Sequence, residues 1–141
     1  MTAVEIEEAI SALAEQPFDA AEFPYAFLRT FDYKDTSIKR LRAGATNKSD
    51  LGGVLHPGNI HIATCPEGDV TKTLAALRAS PATTKAKAKF VLATDGVTLE
   101  AEDLTSDDAP VACDYADFPN HFGFFLPLER IAINRFHILR L

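Results

Sequence analysis

The stretch GVLHPGNIHIATCPEGDVTKTLAALRASPATTKAKAKFVLATD, residues 53–95, decides the fold. Val54 and Leu55 open a short apolar strand, His56-Pro57-Gly58 makes a turn, and residues 59–64 read as a second strand. Pro66-Glu67-Gly68-Asp69 is turn chemistry suited to capping a helix, whose buried face is Val70, Leu74 and Leu77 and which Pro81 closes. The lysine-bearing run 80–89 reads as an exposed connection. Phe90 to Ala93 is uninterruptedly apolar, as in a central strand covered on both faces. Two strands, a helix and a third strand predict an α/β protein: a mixed β-sheet with a β-hairpin, flanked by helices.

Downstream, Asp95-Gly96 is a strong hairpin signal. The partner strand sets Val97, Leu99 and Ala101 on one face and Thr98, Glu100 and Glu102 on the other, and a further strand centres on Val111 to Cys113. Glu100, Glu102 and Asp103 read as a charged edge that resists strand-to-strand aggregation. Phe118, Phe122, Phe124, Phe125 and Leu126 form an aromatic block that seals one edge of the core.

Upstream, Thr2 and Glu5 have capping-box spacing ahead of Ile6, Ile10 and Leu13. A second helix spans roughly residues 22–31, with Pro24 in its first turn and Phe23, Phe27 and Phe31 as one core-facing stripe. Asp35-Thr36-Ser37 offers caps for a third helix, and Gly44 stops it. Residues 45–53 are polar and read as a loop.

The 141 residues suffice for one domain with its own core, and 47% apolar with 24% charged residues is ordinary for a soluble globular chain. No apolar run approaches the roughly 20 residues of a membrane span, and the opening MTAVEIEEAI is acidic rather than signal-like, which predicts a cytoplasmic protein without a membrane partner. Cys65 and Cys113 are too few for a disulfide framework or a structural zinc site. A net charge of −6 argues against tight nonspecific DNA binding by the chain alone. The charge is uneven, however: residues 34–48 hold five basic side chains and one acid, whereas 95–117 hold no Lys or Arg.

His56-Pro57-Gly58 leading into strand 59–64, the strand 90–95, and the closing His121-Phe122-Gly123-Phe124-Phe125 together resemble the N-terminal domain of MmeI-like proteins, bacterial DNA methyltransferases and fused type II restriction–modification enzymes. The resemblance runs over residues 23–128. It implies a restriction-endonuclease-like core of the PD-(D/E)xK kind, an N-terminal domain at 1–128, and a segment 129–141 that starts a linker to a downstream region. In cleaving members the motif sets an Asp before the Pro-Gly turn and a Glu-x-Lys ten positions on; here those positions hold Gly53, Ala63 and Cys65. None offers a hard oxygen donor or a cation, so the resemblance implies a nuclease-like domain that no longer cuts. Asp50 and Glu67 are the nearest acids that could serve as displaced ligands in an active Mg²⁺-dependent endonuclease, the alternative reading. The family's methylation motifs are missing from this chain. No cofactor is therefore expected here, and S-adenosylmethionine belongs to the downstream methyltransferase region, the expected partner.

Lys39, Arg40, Arg42, Asn47 and Lys48 are the candidate DNA-contacting residues, suited to phosphate contact without base reading. Lys85, Lys87 and Lys89 could extend that surface. The competing reading is a solvated helix face on a pure protein-interaction module. His56 and His61 lack a third ligand nearby in sequence, so no metal site is predicted, and Cys65 has no activating base beside it.

Overall fold

The computed structural model describes residues 2–121 and 123–128. Three helices come first: α1 (Ala3–Glu15), α2 (Phe23–Thr30) and α3 (Asp35–Arg42). Strands β1 (Val54–His56) and β2 (Ile60–Thr64), helices α4 (Val70–Ala79) and α5 (Pro81–Lys85), and strands β3 (Phe90–Thr94), β4 (Thr98–Asp103) and β5 (Val111–Asp114) follow. A 3₁₀ helix (Tyr115–His121) and a helical turn at 123–128 close the described chain.

The sheet runs β1-β2-β3-β4-β5 in space. Its β1/β2, β3/β4 and β4/β5 pairs are antiparallel, and β2/β3 is parallel across the α4–α5 crossover. This is the expected α/β protein with a mixed sheet, a hairpin and flanking helices. Alternation along each strand divides the core in two. Ile60, Ile62, Phe90, Leu92, Leu99 and Ala101 pack against α1, α2, α3 and the C-terminal aromatics. Ala63, Val91 and Ala93 face α4 through Val70, Leu74 and Leu77. The α2 stripe of Phe23, Phe27 and Phe31 is buried, and Phe27 meets Phe125 edge-on at 5.2 Å between centroids.

Local signals set most element ends. Thr2 Oγ1 accepts the Glu5 N–H at 3.2 Å. Gly44, at φ +83°, completes a Schellman end on α3: its N–H reaches Leu41 O, and Ala45 N–H reaches Arg40 O, both at 3.0 Å. Asp95 Oδ1 accepts Val97 and Thr98 N–H at 2.8 Å, fixing the hairpin.

Several expectations are corrected. Residues 80–89 are not simply an exposed connection, because Pro81 starts α5 instead of merely ending α4. Ser80 Oγ caps it by accepting the Ala82 N–H, and Ser80, Thr83 and Ala88 are buried. Extended Lys34 is the N-cap of α3, with no side-chain cap on the helix, leaving Asp35 in the first turn where its charge suits the helix dipole. Asp69 makes no side-chain cap on α4; the 66–69 turn is held instead by Gly68 N–H donating to Asp95 Oδ2 at 2.9 Å. Val97 is half exposed at the hairpin bend. Strand β4 is interior to the sheet, so Glu100 and Glu102 guard no edge: Glu100 accepts from Thr71 Oγ1 and Glu102 pairs with Arg78. Phe122 and the expected linker 129–141 lie outside the described residues.

Candidate functional site

The β1/β2 register pairs Val54 with Ile62, and one step further sets Gly53 opposite Ala63. The fold thus brings the first two motif positions together across neighbouring strands. The side chains and the space do not suit a metal. A Cβ built on Gly53 would sit 2.2 Å from Ile62 O and 3.2 Å from Ala63 Cα, so the backbone of β2 fills the volume an aspartate would need. Ala63 is buried beneath α4 beside Val70, Leu74 and Leu77, where a carboxylate would be desolvated. Cys65 follows the end of β2, its N–H donating to Thr94 O at 3.1 Å. Burial pushes its thiol pKa up, with a smaller opposing pull from a Thr73 hydrogen bond, so the thiol stays neutral and supplies no cation in place of a lysine. These three positions do not fit a divalent cation. Among the described residues, no group of three or more His, Cys, Asp or Glu is placed to hold a metal.

A polar network fills the ground between the 45–53 loop, β2 and α5. His61 is fully buried; its Nδ1 lies 2.8 Å from Thr83 Oγ1 and its Nε2 lies 2.7 Å from Ser49 Oγ. Thr83 spends its one proton on Leu77 O at 2.7 Å, so it must accept from Nδ1–H. Nε2 is then the acceptor, and Ser49 donates to it. Burial lowers the His61 pKa to about 4 against a small opposing pull from Asp50, so the ring is neutral at pH 7. A serine beside a histidine suggests a nucleophile and its base, but Ser49 Oγ also accepts Leu51 N–H at 3.2 Å and Gly53 N–H at 3.1 Å. With its proton and both lone pairs engaged, it has nothing left to attack with. The single Ser80 Oγ–H is shared by the two Asp50 carboxylate oxygens, at 2.7 and 2.9 Å, and Glu67 is exposed in its turn.

The basic candidates separate into committed and available groups. Arg42 binds Glu22 through both terminal nitrogens, at 2.5 and 2.9 Å, and stacks 4.3 Å from the Tyr25 ring centroid. Asn47 donates to Gly53 O and accepts from Ser49 and Leu55 N–H, which ties the loop together. Lys39 and Arg40 are exposed in the last turn of α3. Lys48 instead shares a groove with Lys85. Of the lysines in 80–89, only Lys85 is placed there, and Lys87 takes a left-handed φ of +56° just past α5. Ser49, Ser80 and Thr83 went unnoticed in the sequence, which offers no local signal for them. Their partners lie 12, 30 and 22 residues away.

A family model described as "MmeI, N-terminal domain" matches residues 1–137. The chain belongs to that family. Membership sets this MmeI N-terminal domain in a restriction–modification and methyltransferase context. No curated protein and no solved structure matches it. No helix among the described residues is long and apolar enough to cross a membrane.

Proposed function

We propose that the chain is a non-cleaving, nuclease-like N-terminal domain of a bacterial DNA methyltransferase serving restriction–modification or phage defence. Its sheet is the remnant of a restriction-endonuclease core. Its tasks are to dock on the methyltransferase region, which holds S-adenosylmethionine, and to touch DNA backbone from there. The observation that carries the reading is the family match combined with Gly53, whose missing side chain is required by the Ile62 carbonyl at the position where the resemblance implies an acid in cleaving members. Lys39, Arg40 and Lys48 are the basic groups suited to phosphate contact, while Arg42 and Asn47 hold the fold.

Incubation of the purified chain with supercoiled plasmid and Mg²⁺ or Mn²⁺ tests the reading. The expected result is intact plasmid. Nicking that disappears in Asp50→Asn or Glu67→Gln would establish an active nuclease with displaced ligands and defeat the proposal.

A further inference from the structure

A groove of about 500 Å³ opens between the loop ahead of β1 and α5, lined by Lys48, Pro57, Ala82, Lys85 and Ala86. Lysines from two separate segments line it beside Pro57, Ala82 and Ala86, and no acidic residue does, although the chain as a whole carries −6. The groove's walls are fixed from behind. Lys48 N–H donates to Leu55 O at 3.1 Å, and the Asn47 side chain bridges Gly53, Ser49 and Leu55 on either side of it. Gly58 N–H donates to Ala86 O at 2.7 Å, joining the Pro57 turn to α5. Fully buried His61 holds Ser49, next to Lys48, with one ring nitrogen and Thr83, two residues before Lys85, with the other. Only the two lysine stems lose freedom when a ligand enters, so the ordering cost of binding is small.

We propose that this groove is a binding site for a phosphodiester of duplex DNA, with Lys48 and Lys85 on the phosphate and Pro57, Ala82 and Ala86 against the deoxyribose. Lysine binds phosphate as a point charge, and Lys48 and Lys85 bring two such charges to one groove. The small apolar floor matches a sugar face better than a charged peptide. The choice of DNA as occupant rests on the functional reading above; the anion chemistry does not.

The test is fluorescence anisotropy of the full chain with a labelled DNA duplex across a salt series. In Lys48→Glu/Lys85→Glu the affinity falls about tenfold at low salt; in Lys48→Ala/Lys85→Ala the slope of log K against log salt falls by about 0.9, the change for one phosphate no longer neutralised. Circular dichroism and a urea midpoint verify that both variants fold. Unchanged binding in the double variants, or loss only in Lys39→Glu/Arg40→Glu, would overturn the groove while leaving the non-cleaving reading to its plasmid assay. Displacement by poly-glutamate or inorganic phosphate as effective as by unlabelled duplex, at matched ionic strength, assigns the groove to an acidic peptide or a free anion and equally overturns it.

Discussion

Substitution of Gly53 by alanine isolates the contact on which the functional reading turns. The built Cβ lies 2.2 Å from Ile62 O, whereas a carbon and a carbonyl oxygen settle at roughly 3.3 Å or more. The entry to β1 must therefore retreat by about 1 Å. The obstructing atom belongs to the interior strand β2, so it cannot swing aside as a side chain could. Over-packing of this kind costs about 2 kcal/mol. The retreat also strains the bonds that Gly53 makes to Asn47 through its C=O, at 3.0 Å, and to Ser49 through its N–H, at 3.1 Å, at about 1 kcal/mol each. Loss of glycine's freedom in the unfolded chain returns about 0.5–1 kcal/mol. The net expectation is a destabilisation of about 3 kcal/mol. With an m-value near 2 kcal/mol/M, the urea midpoint should fall by about 1.5 M. Gly53→Asp should lose at least as much and gain no Mg²⁺ binding by calorimetry, even combined with Ala63→Glu and Cys65→Lys. A Gly53→Ala midpoint within about 0.3 M of the parent would refute the close-approach argument.

Three further perturbations probe the same network and the core. His61 titrates near 4 when folded and near its ordinary 6.5 when unfolded, so between those values the unfolded chain binds the extra proton and stability declines as pH falls. The full loss is about 3 kcal/mol, at 1.36 kcal/mol per pH unit, and it should be visible between pH 6.5 and 5, above most carboxylate titrations; a flat profile there would count against a buried neutral ring. Thr83→Val strands the buried His61 Nδ1–H and takes one of two donors from Leu77 O, which keeps the Ser80 N–H, and should cost about 2 kcal/mol in urea denaturation while Thr83→Ser retains most stability. Phe27→Ala removes a fully buried ring that meets Phe23, Phe31 and Phe125, and thermal unfolding should report a loss of about 3–5 kcal/mol.

What the sequence disclosed was what neighbours in the chain decide. Thr2 caps the helix that begins beside it, Gly44 ends α3 within its own turn, and Asp95-Gly96 bends a hairpin whose strands adjoin it. The unbroken Phe90–Thr94 strand announced its double covering through composition alone. Contacts between distant segments stayed hidden. Nothing in Pro81-Ala82-Thr83-Thr84 betrays that Thr83 supports a histidine 22 residues earlier, or that Ser80 serves both as a cap and as the partner of Asp50. Alternation in β4 correctly separated Leu99 and Ala101 from Glu100 and Glu102. The second face proved to lie under α4, because sheet order is not written in a strand's own residues. The replacement of the motif residues was plain in the sequence, but the backbone crowding that keeps position 53 a glycine required coordinates.

The parallel β2/β3 pairing has a consequence for biosynthesis. Ile60 meets Phe90, 30 residues later, only after the long crossover closes, an ordering cost of about 3 kcal/mol for the loop, whereas the three antiparallel ladders join strands through short connections. A ribosome-bound chain that has released IHIAT but not FVLAT therefore presents a strand border without its partner, with Ile60 and Ile62 uncovered. During that interval the uncovered edge is open to pairing with another strand.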